Sequence, residues 1–171
     1  MNSKIKVDKF VIVVFLLCMV CNMTMQAKAY ESFKVSIYVR AYEVDKMKDI
    51  HWLDSTWNVI SQQLEVDKIY LETHRDLLVV EDATLEQAKK FFHDRGIETA
   101  GGITYTINEA NSFETFCYSN PEHRKMVQKI AEHTAKHFDE FILDDFFFTS
   151  CKSDIAVSYT HLRAHETELH L

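Results

Sequence analysis

Strand-like and helix-like segments alternate along this chain, and that alternation limits the folds open to it. Four short apolar segments have the composition of strands, and the three longer segments between them carry apolar residues at helical spacing. The predicted strands are Lys34–Tyr42, Lys68–Leu71, Ile97–Thr106 and Glu140–Phe146, and the predicted helices are His51–Leu64, Thr84–Arg95 and 120–137. Strands joined by helices pair in parallel through right-handed crossovers, so the sequence predicts an α/β fold.

Local signals predict several element ends. Thr84 and Gln87 have the spacing of a capping box, and Gly96 follows the second predicted helix as a stop signal. Asn120 precedes Pro121, an arrangement typical of an N-cap followed by proline at the first helical position. The Gly101-Gly102 pair is expected to interrupt the third strand.

Two architectures begin with this order of elements, an eight-stranded barrel and an open doubly wound sheet. A dinucleotide-binding sheet would have a glycine-rich loop after its first strand, but Ala41–Val44 stands there. Polar residues end every predicted strand, which favours a barrel whose site lies at the C-terminal strand ends. Such a barrel needs about 250 residues. We therefore predict a truncated N-terminal half of a (β/α)8 TIM barrel, with about four parallel strands and three helices.

The amino end has the three parts of a secretory signal: a basic start, an apolar run and a small-residue cleavage region. These are Lys4, Lys6 and Lys9, then residues 10–20, then Ala27–Ala29. The apolar run is too short for a stable membrane-spanning helix. Cys18 and Cys21 lack the small residues that precede a lipidated cysteine, so lipid anchoring is the less favoured alternative. We predict a signal peptide over 1–29, a secreted or periplasmic protein, and no membrane span after cleavage.

The carboxyl end has the sequence of translated sequencing adapter. Residues 157–167 back-translate without a mismatch into a common transposase adapter, and His170-Leu171 fits the point where that adapter resumes. We predict that 156–171 is a non-native tail and that 30–155 is the native domain. The chain would then be the front part of a larger product and inactive by itself.

Net charge excludes one class of partner. The chain carries a formal charge of −7 and has no basic block. Nucleic-acid binding depends on clustered Lys and Arg that meet phosphates, so no nucleic-acid partner is expected.

The segment Phe138–Phe148 carries the strongest functional signal. The apolar residues Phe141–Leu143 lead directly to Asp144 and Asp145, and aromatic residues follow. A buried parallel strand would deliver these carboxylates to its C-terminal edge, where barrel enzymes have their catalytic groups.

This segment resembles the fourth strand of glycosyl-hydrolase-like barrel families, in which an Asp-Gly-Ile/Phe stretch leads to Leu/Phe-Asp-Asp and then to aromatics. In the related α-amylase-type barrels the carboxylate at this position is the nucleophile, so the resemblance implies that role for Asp144. Two positions depart from that pattern, Glu140 in place of glycine and Ile142 in place of arginine. The resemblance implies a secreted carbohydrate-active hydrolase that acts on an oligo- or polysaccharide.

Glycoside cleavage requires two carboxylates, one of them protonated to serve the leaving oxygen. Neighbouring strand residues point to opposite faces, so Asp144 and Asp145 do not form that pair, and the partner is expected on a later strand. The candidates for substrate contact are Asp145, Glu72, Arg75, Arg40 and Glu43. Ordinary loop composition is the alternative for the last four. For Asp144 and Asp145 the alternative is that one is a structural hydrogen-bonding group and the other caps a following helix. Sugar stacking or core filling is open to the aromatic residues Trp52, Tyr105 and Phe146–Phe148.

Two other functions compete with hydrolysis. A barrel without a second carboxylate would only bind glycan. A metal-dependent polysaccharide deacetylase would need His133 and His137, one helical turn apart, to converge on Asp144. The pair ends a helix, where histidine is favoured by the helix dipole, so we interpret it as a solvated surface and predict no metal and no cofactor.

Cys117 and Cys151 follow the third and fourth predicted strands and fall in loops on the same face. In a secreted protein this placement favours a disulfide between them, and the alternatives are free thiols or partners in the missing part of the protein.

Overall fold

The computed structural model of this chain describes residues 32–158. The strands are β1 (Ser36–Val39), β2 (Lys68–Arg75), β3 (Leu78–Val79), β4 (Glu98–Ile103), β5 (Thr106–Asn108), β6 (Glu114–Thr115) and β7 (Phe141–Leu143). The helices are α1 (Ala41–Lys46), α2 (Ile50–Ser61), α3 (Asp82–His93) and α4 (Pro121–His137), and a last helical turn covers 154–158. The predicted signal peptide and the predicted tail after residue 158 lie outside the described residues.

The main sheet has the parallel order β1-β2-β4-β7, and β3 pairs antiparallel with β2. Val39, Leu71, Gly101 and Phe141 lie in one row across it. Each parallel strand pairs with the next one along the chain, whereas a doubly wound sheet reverses its order at a switch point. The predicted α/β fold with a mostly parallel sheet is confirmed.

Apolar side chains on one face of the sheet pack against the helices. Ile69 and Leu71 of β2 belong to a buried core with helix residues such as Leu53, Trp57 and Phe92. The rings of Trp57 and Phe92 meet edge to face at 5.2 Å. The opposite face, called the open face below, carries Tyr38, Tyr70, Glu72 and Gly102. Among residues 32–158 no helix is long and apolar enough to cross a membrane.

The glycine pair lies within β4 and does not interrupt it, so that expectation was wrong. A Cβ on Gly101 would stand 2.7 Å from Cγ2 of Thr134 in α4, and one on Gly102 would stand 2.7 Å from the Tyr38 ring. Both distances are below any real contact. The two glycines therefore allow a close helix on one face of the sheet and a tyrosine ring on the open face.

The local signals around α4 and after α3 are confirmed. Asn120 accepts a hydrogen bond from the Glu122 amide at 2.9 Å, and Pro121 is the first helical residue. Gly96 follows α3 with φ of 73°, the left-handed conformation that favours glycine.

The capping box at the start of α3 was wrong. The helix begins at Asp82 with Glu81 as N-cap, two residues before the predicted start, and Thr84 is buried inside it. The Gln87 side chain donates to the Met47 carbonyl oxygen at 2.7 Å, beyond the end of α1. This tertiary contact uses the amide that the local motif would have used.

Strand β2 continues past Leu71, its predicted end, to Arg75. Asp76 and Leu77 then turn the chain back into β3, with φ values of 50° and 65°. Two central residues with positive φ are typical of a type I′ hairpin turn. Glu72 and Arg75 are therefore strand residues with a fixed backbone rather than loop residues.

Candidate active site at the C-terminal sheet edge

Glu72 is the buried centre of a polar cluster at the C-terminal end of β2. Its side chain is 0% exposed, and its Oε1 accepts a hydrogen bond from the Tyr38 hydroxyl at 2.8 Å. Its Oε2 accepts the Ala41 backbone N–H at 2.5 Å. Arg75 binds both oxygens, through Nε and Nη2, at 2.8 Å each. A buried carboxylate is stable only with such donors, and a bidentate guanidinium is among the strongest.

Arg75 extends the cluster from Glu72 to two further carboxylates. Its Nη2 donates to Oδ2 of Asp144 at 2.9 Å, and its Nη1 contacts Oε1 of Glu109. Burial alone would lower the pKa of Arg75, but the hydrogen bonds and negative charges of Glu72 and Asp144 outweigh it and raise that pKa. The guanidinium is a permanent cation that joins three carboxylates.

Thr104, the residue after β4, connects Glu72 and Asp144. Its Oγ1 lies 3.0 Å from Oδ2 of Asp144, contacts Oε1 of Glu72 and accepts from Arg75 at 2.9 Å. A hydroxyl has one proton, so Thr104 donates to one carboxylate at a time. Its carbonyl oxygen lies 2.7 Å from Nδ1 of His74, whose pKa is lowered by burial. The neutral ring therefore donates from Nδ1.

Asp144 is the accessible carboxylate of this cluster. Its amide donates to the Ile103 carbonyl at 2.9 Å, which continues the parallel pairing just beyond β7. Its side chain is 31% exposed, compared with 21% for Glu109 and 0% for Glu72. Oδ2 is held by Arg75 and Thr104, and Oδ1 accepts the Asp145 amide at 2.9 Å. Asp144 is thus both held in place and open to a ligand.

The structure brings three of the predicted site residues together and separates the others. Asp144, Glu72 and Arg75 form the cluster, but the last two are buried beneath Asp144 and support it rather than face a substrate. Arg40 is exposed and pairs with Glu109 at 3.0 Å, at the rim of the cluster. Glu43 lies in α1, where its nearest cation is Lys46 at 3.8 Å, and Asp145 is exposed.

Sequence reasoning missed Tyr38, Thr104 and Glu109. Burial and the charge of Glu72 raise the pKa of Tyr38, so its hydroxyl stays protonated and donates. Tyr38 and Thr104 could have been suspected, because they lie near the C-terminal ends of predicted strands. Glu109 follows the small β5 strand, and no local pattern marks it.

An arginine lies beside Asp144, but it comes from another strand. Ile142 occupies the position at which α-amylase-type enzymes carry that residue, and it is exposed on the open face. Arg75 of β2 supplies the guanidinium instead, at 2.9 Å from Asp144. The departure noted in the sequence therefore leaves the carboxylate with an arginine partner.

Aromatic residues continue from Asp144. The rings of Phe146 and Phe113 stack at 5.1 Å, and Phe147 contacts Tyr105. Phe147 and Phe148 are exposed, whereas Tyr105 is buried in the core. Trp52 packs against the helix core and lies away from the cluster.

The segment after Asp144 is tied to the loop before α4. Cys117 and Cys151 form a disulfide with a Cα–Cα distance of 5.2 Å. Ser150 also accepts the Thr115 amide at 3.0 Å. These links hold the aromatic segment against the small β5–β6 sheet.

The two histidines of α4 do not converge on Asp144, as a deacetylase site would require. His137 and His133 lie 3.1 and 3.4 Å from the carboxylate of Asp82 at the start of α3. The interpretation as a solvated helix surface was wrong for His137, which is buried, whereas His133 is half-buried.

A parallel α/β sheet with a supported carboxylate at a strand's C-terminal end is typical of barrel hydrolases. Residues 22–164 match the family described as "Probable glycosyl hydrolase, catalytic domain". The chain belongs to this family, which confirms the glycosyl-hydrolase-like resemblance.

One curated relative extends this comparison. Over 133 residues the chain is 31% identical to an uncharacterized protein of Saccharolobus solfataricus, and the alignment covers 72% of the chain. The chain spans only 22% of the length of that relative. No solved structure matches the chain.

Proposed function

We propose that this chain is part of a secreted glycoside hydrolase that cleaves an oligo- or polysaccharide, with Asp144 as a catalytic carboxylate. One observation carries the proposal. Asp144 is the most exposed carboxylate of a buried polar cluster at the C-terminal end of a parallel strand. Family membership supplies the reaction class.

The hydrogen bonds of Asp144 favour the role of nucleophile or charge stabiliser. Guanidinium is a donor only, so Arg75 binds Oδ2 as an acceptor. A general acid needs a proton on its carboxyl group, whereas a nucleophile needs a bare oxygen aimed at an oxocarbenium-like carbon. Glu72 holds Arg75 from below and acts as a positioning residue.

We infer that the four parallel strands are the first half of a (β/α)8 barrel. Among the described residues, β1 and β7 each have one edge with no partner strand. An apolar cleft opens beside β1, where Trp52 and Ile60 contribute to its lining, and Ile142 and Leu143 are exposed at the β7 edge. Four further strand–helix units would cover both edges and could bring the second carboxylate.

Secretion is supported by two features. The Cys117–Cys151 disulfide is of a kind found mostly in proteins of oxidising compartments. The basic, apolar and small-residue segments of the first 29 residues have the order of a signal peptide.

The exposed aromatic residues Phe147 and Phe148 suit a sugar substrate, because pyranose rings have apolar faces that stack on aromatic rings.

The test uses the complete gene product and a panel of chromogenic aryl glycosides and polysaccharides. We expect Asp144→Asn to lower kcat by about 10³-fold or more, the scale at which loss of a catalytic side chain acts. Asp139→Asn is the matched control, because that carboxylate is exposed and lies before β7, at the opposite end of the strand, so the variant should keep most of the activity. A 2-deoxy-2-fluoro glycoside of the accepted sugar should label the peptide that contains Asp144, detected by mass spectrometry.

Two results would contradict the proposal. An Asp144→Asn variant with unchanged kcat would remove Asp144 from the reaction. A complete protein that binds glycans with measurable affinity but turns over none of them would instead support a non-catalytic glycan-binding barrel.

A further inference from the structure

Three metal-ligating side chains meet between α3 and α4, in the layer of helices. Asp82 is the first residue of α3, and His133 and His137 lie one turn apart at the end of α4. Oδ1 of Asp82 is 3.1 Å from Nε2 of His137 and 3.4 Å from Nδ1 of His133. One ligand atom from each residue lies within 4.8 Å of the other two.

In each histidine ring, the nitrogen that does not face Asp82, called the outer nitrogen, lies next to a hydrogen-bond acceptor. Nε2 of His133 lies 3.0 Å from the Val80 carbonyl oxygen, and Nδ1 of His137 lies 2.8 Å from Oε1 of Glu86. Both partners are acceptors, so each outer nitrogen donates to its partner and carries a proton. A carbonyl or carboxylate behind the ring is the arrangement that orients histidine ligands in metal sites.

The inner nitrogens, Nδ1 of His133 and Nε2 of His137, face Asp82. The His137 side chain is 5% exposed, and its Nε2 is buried without a hydrogen bond in the described structure. When each ring carries one proton, that nitrogen and Nδ1 of His133 present lone pairs toward Oδ1 of Asp82, so three acceptors face one another. Acceptors so placed repel unless a further proton or a metal cation lies between them. Lys136 contacts the other oxygen of Asp82, Oδ2, and leaves Oδ1 to the histidines.

We propose that Asp82, His133 and His137 bind a divalent transition metal, and that zinc fits best. Zinc takes imidazole and carboxylate ligands at about 2.0–2.2 Å in a tetrahedron, which places ligand atoms roughly 3.3 Å apart. The observed 3.1 and 3.4 Å agree with that spacing. Calcium and magnesium prefer all-oxygen sites, so two imidazoles disfavour them.

The position of the site indicates a structural role. Thr134, between the two histidines in α4, bonds to Thr73 on the helix-covered face of β2. The Asp144 cluster lies instead at the C-terminal edge of the sheet. The metal would join the start of α3 to the end of α4 and stabilise the helix layer. This proposal is independent of the glycosidase activity.

The test is a titration of the EDTA-treated chain with Zn²⁺ by calorimetry. We replace His161, His165 and His170 with Gln throughout, because tail histidines could bind metal on their own. One Zn²⁺ should bind per chain, with a rise in Tm of about 5 °C at saturation.

Asp82→Asn and His133→Gln should each abolish this binding and the Tm shift. His93→Gln is the matched control, because it removes an exposed histidine of α3 and should leave both unchanged. A second measurement does not depend on the folding of any site variant. It is a Co²⁺ titration of the chain with Asp82, His133 and His137 intact, followed by visible absorption. Intense visible bands of tetrahedral Co²⁺ are expected.

Three outcomes would overturn the site: no binding of Zn²⁺ by the folded chain, equal binding after His133→Gln, or a spectrum of octahedral aqueous Co²⁺.

Discussion

The open face of the sheet carries an acid–base pair at each end, and the two pairs differ in burial. At the C-terminal end, the side chains of Glu72 and Arg75 are 0% and 6% exposed. At the N-terminal end, Lys68 and Glu140 are 16% and 56% exposed, although their Nζ–Oε2 distance is only 2.5 Å. Similar charges on the same face therefore stand in very different surroundings.

The difference in burial predicts which of the two pairs holds its side chains in fixed positions. Breaking a buried pair leaves an uncompensated charge in a low dielectric, whereas water replaces the lost partner of an exposed pair. The donors around Glu72 hold Arg75, and Arg75 in turn holds Asp144. The buried contacts at the C-terminal end therefore fix the position of the Asp144 side chain. The exposed side chains of Lys68 and Glu140 at the N-terminal end are not held in the same way.

Arg75→Met should have the largest effect on stability, because it leaves Glu72 buried without its counterion. We expect a loss of about 3–5 kcal/mol in the free energy of unfolding. Urea denaturation followed by circular dichroism measures it. Arg40→Met is the matched control, since it removes the same charge from a half-exposed side chain that also pairs with Glu109. Equal losses in the two variants would show that burial does not distinguish the regions.

Thr104→Val should have an intermediate effect. The replacement keeps the shape but removes the hydroxyl shared by Glu72, Arg75 and Asp144. Losing one buried hydrogen-bonding group costs about 1–3 kcal/mol. Thr99→Val makes the same atomic change within β4, on a half-buried side chain. A Thr104 loss no larger than the Thr99 loss in chemical denaturation would remove the hydroxyl from the support of Asp144.

Acid should affect the two ends in different pH ranges. Burial lowers the pKa of His74 below 6.5, so the unfolded chain takes up a proton first and stability falls as pH drops below that value. His74→Gln should reduce the slope of unfolding free energy against pH between about pH 7.5 and 5.5. Burial also lowers the pKa of His133. Its contribution to the pH dependence is the same in the parent chain and in His74→Gln, so the difference between their slopes reports His74.

At the N-terminal end, the hydrogen bond from Lys68 lowers the pKa of Glu140 below 4.5. Its contribution is present above that value and disappears only as the pH falls further. A His74→Gln variant with an unchanged slope above pH 5.5 would contradict the assignment of the higher range to the C-terminal end.

Lys68→Met should have the smallest effect. The pair with Glu140 is partly exposed, and such ion pairs contribute little in double-mutant cycles. The unfolding midpoint should change much less than in Arg75→Met, and Lys34→Met, which removes another exposed pair, is the control. A drop as large as that of Arg75→Met would show that both ends are rigid.

The local features of this protein could be predicted from its sequence because their causes lie within a few residues. The alternation of apolar periods predicts the α/β fold. Asn120-Pro121 begins α4 and Gly96 follows α3, since an N-cap and a left-handed glycine act on the adjacent backbone. The apolar run before Asp144 likewise predicted a strand, although β7 ends at Leu143 and not at Phe146 as expected.

The roles of the charged residues depended on tertiary contacts. Glu72 and Arg75 were expected to face a substrate, but β2 extends past its predicted end and buries both. Gln87 matched a capping box, yet its amide bonds to Met47, which is 40 residues away in sequence. Asp82 joins His137 across a similar separation, and no local pattern connects them.

Short-range periodicity and capping in the sequence predicted the positions of the four parallel strands and the three longer helices, and the carboxylate that follows β7. They did not predict α1, whose first residues were expected to end β1, and the support of Asp144 by Arg75 and the meeting of two histidines with Asp82 arise from contacts in the folded chain. Burial and charge pairing arise between segments far apart in the chain, and their energies depend on how much water the fold excludes.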